Sequence, residues 1–252
     1  MNIYNFSQNL ILLKKHIPNA ITSGNLLCGC IAVVKISNGE LLHASLLVLL
    51  AAFLDFFDGM SARLLKVGSP LGAQLDSLAD MVSFGFVPSY IAFSLLQDAE
   101  IHPILKYIPF LIAIFSAIRL AKFNIDDRQT TSFIGLPTPA NALLWISIPL
   151  ITWQNNSGYG FIETDFMLDF FYSQWVIIGL SVLMSYLLVA ELPLLALKFK
   201  SLNFQSNKTR WILIAISITL LFFLFFAAIP IILILYLVLS VIENKTNKQD
   251  EI

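Results

Sequence analysis

Four aspartates stand close together in an otherwise apolar part of this 252-residue chain: Asp55, Asp58, Asp76 and Asp80. Oxygen-only ligands select hard cations, so Mg²⁺ or Mn²⁺ is the natural ion for such a group, and four carboxylates can hold two ions. Paired divalent ions supply the charge stabilisation and alignment that displacement at a phosphoryl group needs. The residue types therefore indicate a metal site that is suited to phosphoryl chemistry.

The spacing of these residues predicts two helices with one polar face each. Positions i, i+3, i+4, i+7 and i+8 of the first face hold Asp55, Asp58, Gly59, Ala62 and Arg63. Positions i, i+4, i+8 and i+11 of the second face hold Gly72, Asp76, Asp80 and Ser83. The intervening Lys66, Gly68 and Pro70 predict a turn, and two antiparallel helices joined there would bring the acidic faces together.

The energetic cost of the four carboxylates decides between two interpretations. An aspartate at the centre of a membrane helix costs roughly 2.5–3.5 kcal/mol, so four at full depth would cost on the order of 10–14 kcal/mol. That sum is comparable to the stability of a whole domain, unless cations or protonation offset it. The alternative is a set of solvated aspartates at helix ends, and the shared faces favour the metal site.

Composition predicts an all-α integral membrane protein, because 58% of the residues are hydrophobic, 12% are charged and the mean hydropathy is +0.80. We expect about eight transmembrane helices. Six spans cover roughly 18–36, 41–65, 71–97, 103–124, 137–153 and 173–197, and two shorter ones share 211–242 with a turn marked by Pro230. Seven spans with one long kinked final helix is the competing count.

The distribution of basic residues predicts the orientation of these spans. If the spans alternate, only Lys35 and Lys106 lie on one side, and thirteen basic residues lie on the other: Lys14, Lys15, Arg63, Lys66, Arg119, Lys122, Arg128, Lys198, Lys200, Lys208, Arg210, Lys245 and Lys248. The positive-inside rule makes the second side cytoplasmic. The acidic site then lies near the cytoplasmic ends of the second and third spans, and both termini are cytoplasmic.

The motif residues resemble the signature of the CDP-alcohol phosphatidyltransferase family. That signature is met by Asp58–Gly59, Ala62–Arg63, Gly72, Asp76 and Asp80, with Asp55 as the additional leading aspartate. Further segments are similar to the phosphatidylserine synthase branch of the family: 76–85 with Pro88, 119–124, 135–141, and Pro18–Asn19, Thr22 and Asn25. The specific resemblance covers roughly 15–145, and the rest of the chain resembles the branch only in being hydrophobic.

The resemblance implies transfer of a phosphatidyl group from CDP-diacylglycerol to L-serine, with Mg²⁺ or Mn²⁺ as cofactor. It assigns Asp55, Asp58, Asp76 and Asp80 as ligands of two divalent ions, and Asp80 also as general base, although Asp80 could be purely a ligand. Gly59, Ala62, Arg63 and Gly72 would bind CDP-diacylglycerol. For Gly59 and Ala62, close helix packing is the alternative role.

The acceptor pocket is less well defined by the sequence. Ser83, Arg119, Lys122, Asn124 and Thr138 are candidates for binding serine or phosphate, and Asn141 is a further short polar residue near the same membrane face. Arg119 and Lys122 could instead determine topology by contacting lipid headgroups.

We expect four regions: an interfacial segment 1–17, a catalytic membrane core 18–197, two further helices within 198–242 and a cytoplasmic tail 243–252. The expected setting is the inner (cytoplasmic) membrane, with membrane lipids as surroundings, no nucleic acid partner, and a homodimer by resemblance. The alternatives are a sister transferase for another alcohol such as glycerol phosphate or inositol phosphate, a divalent-cation transporter, and a non-catalytic subunit that retains the motif. A transporter would need acidic residues nearer the midplane and on several spans.

Overall fold

In the computed structural model, residues 3–125, 133–161, 164–195 and 207–250 are described, apart from the side chains of 3–15, 133–134 and 245–250. Ten α-helices make up most of this part of the chain: α1 Ile3–Ser37, α2 Leu41–Leu65, α3 Pro70–Asp80, α4 Val87–Ser94, α5 Leu111–Ile125, α6 Thr138–Asn156, α7 Asp165–Tyr172, α8 Gln174–Val189, α9 Lys208–Leu224 and α10 Ala228–Asp250. A π-helical segment, Met81–Phe86, joins α3 to α4, and 3₁₀ segments Pro103–Phe110 and Phe225–Ala227 precede α5 and α10.

The acidic stretch forms the predicted pair of helices, α2 and α3. The first ends because Lys66 adopts a left-handed conformation with φ 55°, and its N–H donates to carbonyls of the last turn. The second begins with Pro70 in its first turn, where a missing N–H costs nothing, and Ser69 Oγ accepts a hydrogen bond from Gly72 N at 3.0 Å. The turn predicted between the two acidic faces is confirmed.

The third predicted span, 71–97, consists of α3 and α4, which are separated by the π-helical segment directly after Asp80. A π-bulge widens the helix by one residue per turn and is often found at functional sites. Ser83 lies in this segment, and its Oγ donates to the carbonyl oxygen of Asn25 on α1 at 3.0 Å. Two glycines permit the close packing: a methyl group on Gly29 would lie 2.5 Å from Ser83 Oγ, and one on Gly85 would lie 2.9 Å from Ser116 Cβ.

Four helices of the described residues are long and apolar enough to cross a membrane: His16–Ser37, Leu41–Leu65, Pro103–Ile125 and Lys208–Asn244. The pair α7 and α8, bent by 74°, makes a fifth if it is counted as one span. Large apolar side chains cover the exterior of these helices, for example Phe53 and Phe56 on α2 and Phe222 on α9. An outer surface of this kind is that of a membrane protein.

The last of these stretches is two antiparallel helices. Arg210 Nη1 lies 3.8 Å from Glu243 Oε1, whereas a straight helix would place the two residues about 50 Å apart. The chain reverses at Phe225, which has φ 51°. The turn predicted at Pro230 is therefore wrong by a few residues. Pro230 lies in the first turn of α10, where helices tolerate proline.

The predicted sixth span, 173–197, is also wrong at its C-terminal end, because α8 stops at Val189. Ala190 is extended, and Pro193 disfavours helical backbone in the residue before it. The two-residue strand β2, Pro193–Leu194, then pairs antiparallel with β1, Phe133–Ile134, so the fold is not purely helical.

Two apolar cores hold the helices together. One lies among α1, α2, α4 and α6 and includes Val48, Phe84 and Ile146. The other lies among α4, α5, α6, α8 and α10 and includes Ile112 and Trp145. Because α6 contributes to both cores, it fixes the hairpin of α2 and α3 relative to α5 and the C-terminal helices.

The short connection between α1 and α2 is held by charges. Lys35 Nζ and His43 Nδ1 each lie 2.9 Å from Glu40 Oε2. The hydrogen bond from Lys35 lowers the pKa of the Glu40 carboxyl below its ordinary value, with smaller contributions from His43. These contacts stabilise the antiparallel arrangement of α1 and α2 at the end where the two helices connect. The turn between α2 and α3 lies at the opposite end of α2.

Candidate active site

Three of the four motif carboxylates meet in one group. One oxygen each from Asp55 on α2 and from Asp76 and Asp80 on α3 lies within 4.8 Å of the others. Asp55 and Asp76 are partly buried, and the Asp80 side chain is only 9% exposed. The antiparallel hairpin thus brings the acidic faces together as the spacing predicts.

Asp80 is held by a hydrogen bond from α1. Asn25 Nδ2 donates to Asp80 Oδ1 at 3.3 Å, and Asn25 is itself fixed through the hydrogen bond from Ser83 to its carbonyl. Asp80 is therefore oriented by the amide of Asn25. Arg119 on α5 is also buried, with 7% of its surface exposed.

Asp58 has a different environment from the three-carboxylate group. It is 5% exposed, and Thr22 Oγ1 on α1 donates to its Oδ2 at 2.6 Å. It lines a cavity and does not belong to the three-carboxylate group. Asp58 and Asp76 both line this cavity, so the cavity is continuous with the carboxylate group through Asp76.

The cavity has a volume of about 230 Å³ and lies between α1, the end of α2 and the start of α3. Most of the predicted donor-binding residues line it, together with residues of α1 and of the turn: Pro18, Asn19, Thr22, Asp58, Gly59, Ala62, Val67, Gly68, Ser69, Gly72, Ala73 and Asp76. Arg63 is exposed at its edge, with Nη2 3.9 Å from where a Gly59 methyl group would lie.

The glycines of the cavity have two different roles. A methyl group on Gly59 would meet nothing but the tip of Arg63 within 4 Å, so this glycine opens the cavity and does not pack against a helix. A methyl group on Gly72 would lie 3.0 Å from Asn19 Oδ1 and 3.1 Å from Ser69 Oγ, so Gly72 permits the close approach of α1 and the turn. At both positions the absence of a side chain leaves polar groups of the lining open to the cavity.

The predicted acceptor residues fall into two sets. Ser83, Arg119 and Thr138 are buried in the interior. Lys122 and Asn124 are exposed, and Asn124 exchanges hydrogen bonds with Ser77 of α3 at 3.0 and 3.2 Å.

The three-carboxylate group fits the divalent cation that the sequence implies. Its donors are hard oxygens only, they are close enough to share an ion, and Asp58 supplies a further carboxylate across the cavity. Asp55, Asp76 and Asp80, with Asp58, would hold the metal. A bound divalent ion would neutralise phosphate charge at this end of the cavity.

The comparison with protein families agrees with this geometry. A model of the CDP-alcohol phosphatidyltransferase family matches residues 15–187, which include every residue of the site described above. The chain belongs to the CDP-alcohol phosphatidyltransferase family.

Individual relatives within the family share one more specific name. The chain is 31% identical over 228 residues to a CDP-diacylglycerol–serine O-phosphatidyltransferase of Helicobacter pylori, and the match covers 90% of each chain. It is 41% identical over 128 residues to the enzyme of that name from Bacillus subtilis, covering 49% of this chain and 70% of the relative. A relative of that name from Methanocaldococcus jannaschii is 35% identical over 132 residues, covering 52% of this chain and 58% of the relative.

Sequence reasoning gave no role to the α1 residues that contact the aspartates. Thr22 and Asn25 are visible in the sequence as polar positions of one helix face, with Pro18 and Gly29 at the same spacing of i, i+4, i+7 and i+11. That face is the signal that α1 packs on the acidic hairpin.

Proposed function

We propose that this transferase moves the phosphatidyl group of CDP-diacylglycerol to the hydroxyl of L-serine, giving phosphatidylserine and CMP. The observation that carries the proposal is that an open cavity of about 230 Å³ adjoins the three-carboxylate group, with Asp76 belonging to both. The relatives that cover most of the chain bear the name of this activity.

The donor occupies the cavity in this proposal. The open space beside Gly59 and Ala62 allows a pyrophosphate to approach the backbone of α2, and Arg63 at the edge provides a planar fork for phosphate oxygens. Ser69 and Asn19 place polar groups on the opposite wall. The diacylglycerol part then lies toward the lipid-facing exterior.

The reaction is a direct displacement at the phosphorus that carries the diacylglycerol group. The serine hydroxyl oxygen forms a new P–O bond, the P–O bond to the CMP phosphate breaks, and CMP leaves with the electron pair. Asp80 accepts the hydroxyl proton, and Asn25 holds the carboxylate in place for this transfer. Asp55, Asp58, Asp76 and Asp80 would hold Mg²⁺ or Mn²⁺, two ions in all.

The whole chain crosses the inner membrane eight times in this proposal. The helices from α1 to α6 and the bent α7–α8 pair give six crossings, and the α9–α10 hairpin gives two. The turn between α2 and α3 and both termini face the cytoplasm, because nearly all basic residues belong to that side. Serine and CMP are water-soluble and would reach or leave the site from there. The active protein is a homodimer.

Turnover of a panel of acceptors tests the function. Purified protein in lipid is given CDP-diacylglycerol with labelled L-serine, glycerol 3-phosphate or inositol phosphate, and CMP release and lipid product are measured. We expect serine-dependent CMP release with equal formation of phosphatidylserine. Equal or greater turnover of another alcohol would overturn serine as the acceptor but leave the transferase chemistry intact.

A further inference from the structure

The C-terminal hairpin, formed by α9 and α10, encloses a second cavity together with α6. Its volume is about 550 Å³, and its walls include Leu143 of α6, Leu213 of α9 and Leu233 of α10. Among the described residues that line it, all except Ser217 and Tyr236 are apolar, and none also lines the cavity between α1, α2 and α3. A cavity with so few polar groups does not hold ordered water and suits an apolar occupant.

The second cavity opens sideways, toward the membrane. Leu213 and Leu233 are buried at its inner wall, whereas Ile218 of α9 is 64% exposed at its mouth. The outer face of α9 continues as apolar surface, with Ile212 and Phe222 exposed, and α9 belongs to a stretch that is apolar enough to cross a membrane. The mouth therefore meets lipid hydrocarbon instead of water.

One end of the hairpin is fastened to β2 and to the residue after it. Side chains at positions i, i+4 and i+8 on one face of α10 bind the backbone there. The hydroxyl of Tyr236 donates to the carbonyl oxygen of Leu195 at 3.2 Å, and Ser240 Oγ accepts from Leu195 N at 3.1 Å. Asn244 Nδ2 donates to the carbonyl oxygen of Pro193. The polar atom of Tyr236 is thus engaged by the backbone, and its ring contributes to the lining.

The other end of the hairpin is fastened to α6. Gln154 is buried, its Nε2 donates to Leu224 O at 3.1 Å, and its Oε1 accepts from Phe226 N at 2.9 Å. These bonds lie on either side of the chain reversal at Phe225. The lining residues of α10 lie between the two fastened ends, so both attachments hold the hairpin in place where close packing would otherwise fill the space. A space maintained in this way is suited to a bound ligand.

The dimensions of the cavity favour a single hydrocarbon chain. Its lining residues on α9 run from Leu213 to Leu221, a rise of about 12 Å, and one leaflet of the hydrocarbon core is about 15 Å deep. A helix with its side chains is about 10–12 Å across, so a 12 Å length of helix needs roughly 900 Å³ or more. Helix pairs in membranes also prefer small residues, whereas this lining is mostly Leu, Ile and Pro. An acyl chain therefore fits better than a helix of a second copy.

The charge at one end of α9 favours an anionic lipid. Lys208, the first residue of α9, is exposed and lies five residues before Leu213, which is about 7.5 Å along the helix. A lysine side chain can cover that distance and keep its ammonium group at the headgroup level of the membrane. Lysines near an anionic membrane surface attract negatively charged headgroups.

We propose that this cavity binds one acyl chain of an anionic membrane phospholipid, whose phosphate lies at Lys208. The lipid is a resident ligand and not a reactant, and it supplies the dispersion contacts that the lining residues need on that side. The assignment is independent of the proposed function, because the lining of this cavity does not overlap with that of the donor cavity.

Photochemical cross-linking tests the binding. The probe is phosphatidylglycerol with a diazirine in one acyl chain, present at a small mole fraction in phosphatidylcholine vesicles that hold the full-length protein. Mass spectrometry of the digested protein locates the labelled residues. We expect labelling that saturates with increasing probe, that concentrates on the lining residues of α6, α9 and α10, and that unlabelled phosphatidylglycerol suppresses. CDP-diacylglycerol should suppress it no more than any other anionic lipid.

Two variants and a control sharpen the test. Ala140→Phe places a ring in the cavity and should abolish the saturable labelling, with the affinity for CDP unchanged. Ala215→Phe makes the same change on the exposed side of α9 and should keep the labelling. Lys208→Gln should keep the cavity but lower the preference for phosphatidylglycerol over phosphatidylcholine about fivefold. In detergent, phosphatidylglycerol should raise the melting temperature of the wild type and of Ala215→Phe, but not of Ala140→Phe.

Each contrary outcome would overturn part or all of the assignment. Labelling that rises linearly and covers the whole exterior would show ordinary lipid contact, and saturable labelling that persists in Ala140→Phe would show a site elsewhere. Specific displacement of the probe by CDP-diacylglycerol would make the occupant the donor. Loss of a dimer in Ala140→Phe, with no lipid labelling in the wild type, would make the occupant a second copy. An unchanged lipid preference in Lys208→Gln would remove the phosphate from Lys208. Should Ala140→Phe not fold, Ser217→Leu, which fills the cavity from α9, decides by the same criteria.

Discussion

Asp58 and Asp80 are buried aspartates of one motif, yet their neighbours differ. Asp58 is bonded to Thr22 and lines the cavity, whereas Asp80 is bonded to Asn25 and lies in the three-carboxylate group. If the cavity holds the donor as proposed, Asp58 would hold a divalent ion against the pyrophosphate. In the same proposal, Asp80 would take the proton of the acceptor hydroxyl.

Replacing each by asparagine should separate these roles. Asp80→Asn should lower single-turnover transfer to serine by about 10²–10⁴-fold, the usual share of general acid–base catalysis, and leave CDP binding nearly intact. Asp58→Asn should weaken the binding of CDP and metal. The two substitutions preserve volume and each removes one charge, so a difference between them reflects role. Equal loss of metal affinity in both variants would make Asp80 a ligand first.

Removal of divalent ions should abolish turnover, because the motif offers only hard oxygen ligands. We expect no CMP release in excess chelator, and recovery on adding Mg²⁺ or Mn²⁺. Calorimetric titration of metal into the ligand-free protein checks the same site without turnover, and Asp55→Asn should weaken the binding of metal. Full activity with the metal content verified as nil would contradict the metal site.

Gly59 gives a prediction in which stability and binding change in opposite directions. Alanine in the middle of a helix is more stable than glycine by roughly 0.5–1 kcal/mol. A methyl group at Gly59 would meet only Arg63 and would project into the cavity. Gly59→Ala should therefore melt at higher temperature but bind CDP about 5- to 150-fold more weakly, as overpacking costs about 1–3 kcal/mol.

Gly179→Ala is the matched control for that substitution. Gly179 is an exposed helical glycine of α8 with open space around it, so it should show the stability gain and normal CDP binding. Unchanged CDP affinity in Gly59→Ala would mean that the donor does not approach α2 there.

At the scale of elements, the junction between β1 and α6 depends on Gly135. This residue has φ +76°, and a methyl group on it would lie 2.6 Å from the carbonyl oxygen of Leu188. Its N–H donates to Leu192 O, which fixes the strand pair beside the end of α8. The start of α6, with Thr138 and Asn141, is positioned by this junction.

Gly135→Ala should destabilise the protein more than Gly158→Ala does. Gly158 also has a positive φ, +66°, but has nothing within 4 Å, so alanine there should cost only the backbone strain of about 1–2 kcal/mol. At Gly135 the clash adds about 1–3 kcal/mol. Thermal melting of the two variants compares them directly, and equal losses of melting temperature would show that the contact with Leu188 relaxes freely.

Helix bounds were predictable where local signals coincide with the ends of apolar runs. Leu41–Leu65 agrees with the prediction at both ends, because the run stops at the turn residues that follow it. The end of α8 was not predictable from hydropathy, since Leu192, Leu194 and Leu195 continue the apolar run while pairing and packing fix their backbone. The π-helical segment depends on packing at Gly29 and Gly85, which no local pattern encodes.

At the scale of the whole molecule, the sequence predicts which faces are acidic but not what packs on them. The three-carboxylate group follows from helical spacing and one turn. The contacts of Thr22 and Asn25 depend on how α1 lies against the hairpin. The way distant helices lie against one another is set by packing in the two apolar cores. These cores are built from similar apolar side chains, and the sequence does not show which of them pack together.

The C-terminal hairpin decides the number of crossings. By length and hydropathy Lys208–Asn244 could form one membrane span. The Arg210–Glu243 contact, however, brings the two ends of this stretch together. A hairpin returns the chain to the side where it entered, so eight crossings leave the C-terminus on the same side as the acidic turn. One kinked helix would leave it on the opposite side and would place Phe225 within the bilayer.

Single cysteines distinguish these two arrangements. In a background with Cys28 and Cys30 replaced by serine, we expect a membrane-impermeant maleimide to label Phe225→Cys in right-side-out vesicles. Glu243→Cys and Lys66→Cys should react only after the vesicles are opened, because the hairpin places Glu243 beside Arg210 on the side of the acidic turn. Activity of each variant toward serine checks that it is folded. Labelling of Glu243→Cys from outside, with Phe225→Cys protected, would mean that the chain crosses seven times and that the hairpin is not the membrane form.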